Sequence, residues 1–259
     1  MNWPVPEALP ALLDGEIHLW CAWLGAPGPG DADLGGLSAD EAARARALHF
    51  PAHRHHFVAA RRNLRRVLGA YTGRLPTTLA FSYGRFGKPA LADALEDGGS
   101  SADTRRLQFN QSHCGALWLL AVTRDQPVGV DVEAVRQLDD LDLLENTVFS
   151  AAELPRQQSL PSRARQTEFF RRWTEREATA KLQGVGLDPA LTRVPPGHLV
   201  PLSPAAGYAA CLAYDGPALR IRPFCWNNRL QVHPPAPTVN NLKDLRSLPH
   251  RHTPSTTLC

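Results

Sequence analysis

The chain has 259 residues, of which 43% are hydrophobic, and a formal net charge of +3. This length supports a substantial core in one large domain or two small ones, and no apolar run is long enough to cross a bilayer. Five scattered cysteines without a Cys-x-x-Cys pair argue against a disulfide framework and a zinc site. Since the first residues also lack the basic-then-apolar order of a signal peptide, we expect a cytoplasmic protein without a membrane partner.

The N-terminal part of the chain predicts one strand followed by two helical pieces. Residues 16–23 alternate as a strand does, and Ser38 with Glu41 has the spacing of a helix-capping box. The helical pattern then runs to about residue 69, with a break at Phe50-Pro51.

A one-sign charge block overlaps these helices. Residues 44–88 contain ten Lys or Arg and no Asp or Glu. Such a block predicts an anionic partner, which could be phosphate groups, nucleic acid or an acidic protein surface. The same pattern is also typical of a solvated helix face, so the block alone decides nothing.

The remainder of the chain predicts short strands and further helices. The predicted elements are strands at 79–83, 107–110, 117–123 and 128–133, a helix at about 166–183, and strands at 207–214 and 219–224. We expect a hairpin-type connection at residues 124–127, a loop at 93–103, and an antiparallel pair of strands around Asp215-Gly216.

This order of elements predicts an α+β fold with two halves, each a small antiparallel sheet packed with helices, and a cleft between them. The predicted boundaries are residues 1–125 for the first half and 126–228 for the second. Residues 229–259 are rich in proline and polar residues and predict a disordered tail.

Two segments carry acidic residues suited to chemistry. On a strand, Asp131 and Glu133 leave the same face, and on a helix Trp173, Glu177 and Lys181 share one face. Ordinary interpretations exist, because acid-x-acid is common on exposed strands and Glu177 with Lys181 makes a favourable i,i+4 pair. If the two faces meet, three carboxylates and a lysine would suit a hard cation and a polyphosphate.

Two further segments could bind phosphate. Ser112 and His113 offer a hydroxyl, an imidazole and backbone N–H groups after a predicted strand. A nucleophilic Ser–His pair is the alternative, but adjacent residues rarely point at each other and no G-x-S-x-G elbow is present. Lys88, within Gly87-Lys88-Pro89, is the second candidate, and this pattern is also typical of a tight turn with an exposed lysine.

Taken together, five segments resemble the 4'-phosphopantetheinyl transferases of the surfactin-synthetase-activating (Sfp) type. They are residues 87–89 (GKP), 109–113 (FNQSH), 129–133 (GVDVE), 149–153 (FSAAE) and 173–184 (WTEREATAKLQG). The resemblance implies a monomer of two pseudo-twofold-related halves with coenzyme A bound in the cleft between them.

The resemblance also implies the reaction. The 4'-phosphopantetheine group of coenzyme A would pass to a serine hydroxyl of an apo acyl, peptidyl or aryl carrier protein, releasing adenosine 3',5'-bisphosphate. Asp131, Glu133 and Glu177 resemble ligands of Mg²⁺, for which Mn²⁺ is an alternative. Glu177 and Lys181 would be the catalytic groups.

Contacts to coenzyme A are implied for Lys88, Ser112, His113 and Lys181. An arginine from the basic helix is expected to help, and we choose Arg61, with Arg54 as the competitor. One departure is Arg176, where many members have lysine: the charge is kept but the geometry is not.

Two other functions remain open at this point. The first is a nucleic-acid-binding protein that uses the basic block, although carboxylates repel phosphate without a metal, so the acidic residues would be unexplained. The second is a catalytically silent homologue that binds carrier proteins. The resemblance itself implies no nucleic-acid partner.

Overall fold

The computed structural model describes residues 3–26, 33–92, 107–185 and 196–227. The loop predicted at residues 93–103 and the tail predicted at 229–259 lie outside the described residues. In the described part of the chain, no helix combines the length and apolar character that crossing a bilayer requires.

The described residues form a mixture of short strands and helices, which confirms the predicted α+β class. In chain order they are β1 (Glu16–Trp23), α1 (Ala39–Ala47), α2 (Pro51–Thr72), β2 (Phe81–Tyr83), β3 (Pro89–Leu91), β4 (Leu107–Cys114), β5 (Leu117–Arg124), β6 (Val128–Ala134), α3 (Leu141–Val148), α4 (Leu154–Gln158), α5 (Ser162–Gln183), β7 (His198–Leu202), β8 (Tyr208–Tyr214) and β9 (Arg220–Cys225).

The first sheet has the strand order β4-β5-β1-β9 and packs against α2. The predicted helix break is confirmed, since Pro51 begins α2, where its missing N–H is not needed. Leu64 and Leu68 of α2 are fully buried in one cluster with Trp20 and Trp118 of the sheet. Burial of this apolar stripe holds α2 on the sheet.

The second sheet has the order β6-β8-β7 and packs against α5. Gly129 on β6 makes this contact possible, because a Cβ there would lie 2.0 Å from the carbonyl oxygen of Ala178 on α5. Only glycine lets the two backbones approach so closely. The close approach brings the acidic strand to the helix that carries Glu177 and Lys181.

The two sheets share a buried apolar layer. Val130 and Val132 of β6 belong to one cluster with Leu19 of β1 and Leu119 of β5, and all four are fully buried. Because side chains alternate along a strand, this leaves the odd-numbered positions of β6 on the side of α5. The helices α2 and α5, which pack against the first and the second sheet, have 22 residues each.

Two predicted connections are wrong. Strands β8 and β9 do not form a hairpin around Asp215-Gly216, because β8 pairs with β6 and β7 whereas β9 pairs in parallel with β1. Residues 124–127 do not close a hairpin either, since β5 and β6 lie in different sheets. The first sheet is therefore mixed rather than antiparallel, and the predicted second half contributes its last strand.

Candidate active site

Strand β4 is longer than predicted, so Ser112 and His113 lie on it rather than after it. Ser112 pairs in register with Leu119, on the face toward the second sheet, and His113 pairs with Trp118, on the face toward α2. Neighbouring strand residues point to opposite faces. The two side chains therefore form no nucleophilic pair, and each serves a different side of the sheet.

Ser112, Asp131 and Lys181 form a hydrogen-bonded group across three elements. The Lys181 ammonium donates to Asp131 Oδ1 at 2.5 Å and to Ser112 Oγ at 3.0 Å. The Ser112 hydroxyl donates to the same Asp131 oxygen at 2.8 Å. The acidic strand and the lysine-bearing helix face thus converge.

One oxygen in this group lacks a partner. Asp131 is only 2% exposed, and its Oδ2 accepts no hydrogen bond from the described residues. Buried carboxylate oxygens are nearly always satisfied, so an unsatisfied one needs an explanation. A ligand that supplies positive charge would provide it.

Glu133 and Glu177 add two more half-buried carboxylates to the group. Burial raises the pKa of Glu133, and the nearby Asp131 charge adds to the rise, although the thiol of Cys114 donates to its Oε2 at 3.1 Å. Burial and the Asp131 charge likewise raise the pKa of Glu177. Three carboxylates therefore meet two cations, the ammonium of Lys181 and the exposed guanidinium of Arg136, so negative charge exceeds positive charge in this cluster.

This donor set suits a hard divalent cation. The available ligands are carboxylate oxygens, which Mg²⁺ prefers, and Asp131 Oδ2 is an unpartnered acceptor. Within the described ranges, no three His, Cys, Asp or Glu side chains are already arranged to hold a metal. The residues thus fit the ion chemically, and the ligand roles of Asp131, Glu133 and Glu177 stay a prediction.

A cavity of about 330 Å³ lies beside this group. It contains four of the predicted site residues, since Arg61, Ser112, His113 and Lys181 all line it. The other lining residues are Arg44, Phe57, Ala60, Tyr83, Gly87, Pro89, Gln111 and Trp118. Basic and aromatic side chains together suit a ligand that carries both phosphate groups and a ring.

Arg61 reaches this cavity, but its charge is already paired. Its Nε donates to Glu41 Oε1 at 2.7 Å and its Nη2 to the Tyr83 hydroxyl at 2.9 Å. Arg65 donates to the other oxygen of Glu41 at 2.7 Å. The competitor, Arg54, donates to the carbonyl of Leu48 at 2.9 Å. The contact of Arg61 with coenzyme A stays a prediction.

Arg44 is a cation of the cavity that the sequence did not single out. It is exposed, its guanidinium lies 5.6 Å from the centre of the Phe57 ring, and no described carboxylate pairs with it. The basic block contained the signal, but ten similar side chains gave no reason to choose this one. Arg61, Arg62 and Arg65 differ from Arg44 because each of them pairs with a carboxylate.

Lys88 lies away from this group. Its ammonium donates to the carbonyls of Val128 and Leu182, at 3.1 and 3.0 Å, and it lines a separate cavity of about 480 Å³. Burial lowers the pKa of Lys88 to about 8. Lys88 thus ties the β2–β3 turn to the end of α5, where a cation is favoured. Its contact with coenzyme A stays a prediction.

Trp173 and Arg176 do not line the 330 Å³ cavity. Trp173 stacks on Phe169, with ring centroids 6.0 Å apart, and packs against the apolar cluster of α3 and α5. Arg176 donates to the carbonyl of Thr147 at the end of α3. The tryptophan therefore anchors the helix that presents Glu177 and Lys181.

Comparison with known proteins gives a consistent result. Residues 127–201 match the family model of the 4'-phosphopantetheinyl transferase superfamily. The chain is 40% identical to the 4'-phosphopantetheinyl transferase HetI of Nostoc sp., over 71% of this chain and 75% of that protein. It is 30% identical to a putative 4'-phosphopantetheinyl transferase of Synechocystis sp., over 62% of each.

A eukaryotic relative matches over a shorter span. The L-aminoadipate-semialdehyde dehydrogenase-phosphopantetheinyl transferase of Eremothecium gossypii is 36% identical over 54% of this chain and 49% of that protein. The matched family segment contains Asp131, Glu133, Glu177 and Lys181, which the fold brings together. The chain therefore belongs to the 4'-phosphopantetheinyl transferase superfamily and is a transferase.

Proposed function

We propose that this protein transfers the 4'-phosphopantetheine group of coenzyme A to a serine hydroxyl of an apo carrier protein, releasing adenosine 3',5'-bisphosphate. The observation that carries the proposal is the group of Asp131, Lys181 and Ser112, with its unpartnered carboxylate oxygen and two further glutamates. This group places a positive charge beside negative charges, so it could bind both a pyrophosphate and the cation that accompanies it.

In this reaction the carrier serine oxygen attacks the phosphorus next to the pantetheine. The bond from that phosphorus to the bridging oxygen breaks, and the adenosine bisphosphate leaves with the electron pair. Glu177, half-buried on α5, would accept the serine proton. Lys181, which lies between Ser112 and Asp131, would stabilise negative charge on the leaving oxygen.

We propose that Asp131, Glu133 and Glu177 hold Mg²⁺, or Mn²⁺ in its place. The ion would neutralise pyrophosphate charge when bound. Asp131 would offer the ion its unpartnered Oδ2, while its Oδ1 keeps the hydrogen bond from the ammonium of Lys181.

The phosphate-bearing part of coenzyme A would occupy the 330 Å³ cavity, which residues of α2 and β4 help to line. The charge of Arg44, the imidazole of His113 and the hydroxyl of Ser112 would contact its phosphate groups. Arg61, already paired with Glu41, would act mainly by holding Tyr83 at the rim. An acyl, peptidyl or aryl carrier protein would approach from the open side of the cavity.

We infer further that the protein is of the Sfp type and works as a monomer. Two sheet-and-helix halves in one chain, with helices of equal length, support this inference. Residues from both halves build the site, since Ser112 comes from the first sheet and Asp131 from the second. A sedimentation measurement that gives a dimer would contradict the monomer.

Intact-mass spectrometry tests the proposed function. Apo carriers of the fatty-acid, polyketide and peptide-synthetase types are incubated with the protein, coenzyme A and Mg²⁺. We expect a gain of one phosphopantetheine on at least one carrier, lost when coenzyme A or the divalent ion is omitted. No gain on any carrier, with a folded protein that binds coenzyme A, would contradict it.

A further inference from the structure

The free edge of the acidic strand is occupied by side chains of β4. Strand β6 pairs with β8 on one side only, and its other edge has no strand partner among the described residues. An unpaired edge leaves backbone N–H groups to be satisfied. Asn110 and Cys114 of β4 each accept one such N–H group, and Ser112, which lies between them at the alternate position, donates to the Asp131 carboxylate.

The first contact is a buried one. Asn110 is 4% exposed, and its Oδ1 accepts the backbone N–H of Val130 at 2.8 Å. The middle residue, Ser112, donates to the Asp131 carboxylate at 2.8 Å. These bonds hold the backbone on one side of Asp131 and its carboxylate against the same neighbouring strand.

Cys114 makes the last contact, in which it both donates and accepts a hydrogen bond. Its thiol donates to Glu133 Oε2 at 3.1 Å, and its sulfur accepts the backbone N–H of Ala134 at 3.3 Å. Cys114 thus holds the carboxylate of Glu133 at the unpaired edge of β6 without adding a negative charge. Glu133 also forms an ion pair with Arg136, but the two groups are 4.0 Å apart and Arg136 is exposed.

We propose that Cys114 is a positioning residue, which with Asn110 fixes the acidic strand so that Glu133 presents its carboxylate beside that of Asp131. This inference rests on the proposed function and deepens it, since it concerns the residues predicted to hold the divalent ion. Groups that orient a metal-binding carboxylate contribute to metal affinity without touching the metal.

The test compares Cys114→Ala with Cys114→Ser. Serine keeps one donor and one acceptor and should restore the contact to Glu133, whereas alanine removes both. Cys225→Ala serves as the control, because Cys225 is also partly buried and free but lies on β9, away from the acidic strand. All three variants are made in the full chain.

The primary measurement is the affinity for Mn²⁺ in the presence of coenzyme A, which the electron paramagnetic resonance signal of the ion reports. We expect about tenfold weaker binding for Cys114→Ala, within threefold of the original for Cys114→Ser, and no change for Cys225→Ala. The Mg²⁺ concentration for half-maximal transfer should shift in the same order, while the KM for coenzyme A stays constant.

The outcomes separate this inference from the proposed function. If the original protein modifies a carrier but Cys114→Ala binds Mn²⁺ equally well, the positioning role is wrong and the function stands. If serine fails to restore binding, the thiol acts by packing alone, which also overturns the role. If no carrier is modified while Cys114→Ala weakens Mn²⁺ binding, the function is wrong and the positioning role stands.

Discussion

Two buried charge clusters in this protein have opposite balances. At the junction of α1 and α2, the carboxylate of Glu41 accepts hydrogen bonds from Arg61 and Arg65, so one negative charge meets two positive ones. At the junction of β6 and α5, Asp131 and its neighbouring glutamates face the ammonium of Lys181.

This difference predicts a structural role for the Glu41 cluster and a functional role for the Asp131 cluster. Both oxygens of Glu41 are used within the protein, and the two guanidinium groups also lie over the Phe81 ring. Asp131 keeps an unused buried oxygen. Neutralising Glu41 should therefore cost stability, and neutralising a carboxylate of the acidic cluster should cost activity.

The largest effect is expected at the contact that brings the acidic cluster together. Gly129→Ala places a Cβ 2.0 Å from the Ala178 carbonyl, so β6 and α5 must separate. We expect more than about 3 kcal/mol of lost stability and no measurable transfer. Thermal unfolding measures the stability, and the mass of the carrier measures the transfer.

Gly197→Ala is the control, because a Cβ at Gly197 would lie 3.8 Å from its nearest neighbour, so this variant should behave like the original protein. Normal activity in Gly129→Ala would contradict the close approach.

Glu41→Gln should lose about 3 kcal/mol at neutral pH, because two buried guanidinium groups lose their counter-charge. Burial is the largest single influence and acts to raise the pKa of Glu41. The hydrogen bonds from Arg65, Ser38 and Arg61, together with the Arg61 charge, outweigh burial, so the pKa is lowered from its usual 4.5. The stabilisation is thus present above pH 4.5 and is lost as pH falls through the lower folded-state pKa. Urea titrations should show that the free energies of unfolding of the original protein and of Glu41→Gln become equal at acidic pH. A constant difference down to pH 2 would contradict this.

A smaller effect is expected at the cavity. Arg44→Ala should raise the KM for coenzyme A about fivefold to tenfold, since it removes an exposed cation that no described carboxylate neutralises. Arg62→Ala is the matched control, because Arg62 pairs with Asp33 at 3.3 Å on the surface and does not line the cavity. Steady-state kinetics at low salt distinguish them, and equal KM values would contradict the assignment.

Much of the fold follows from local patterns. The capping spacing at Ser38, the break at Pro51 and the helix end at residue 183 all agree with the sequence prediction, because each depends on neighbouring residues only. The pairing of β9 does not follow from local patterns, because β9 pairs with β1, whose residues lie about two hundred positions earlier in the chain. The turn-like Asp215-Gly216 predicts pairing with the preceding strand, and the structure has the long-range pairing instead.

The candidate site shows the same division. Periodicity placed Asp131 with Glu133, and Glu177 with Lys181, on common faces, and the structure brings the faces together. Periodicity could not reveal that Arg61 is neutralised by Glu41, or that Lys88 binds carbonyls of β6 and α5. Asn110 and Cys114 lie two residues to either side of Ser112, and this alternation was the available signal for the supporting contacts.

The most direct test of the acidic cluster is Glu177→Gln, compared with Glu168→Gln on the same helix. Glu168 is the matched control because it pairs with Arg171 at the helix surface. Both proteins are incubated with an apo carrier, coenzyme A and Mg²⁺, and the carrier mass is followed with time. We expect Glu177→Gln to transfer at least about a thousandfold more slowly with an unchanged or higher melting temperature, and Glu168→Gln to retain its rate. Full transfer by Glu177→Gln would contradict the account.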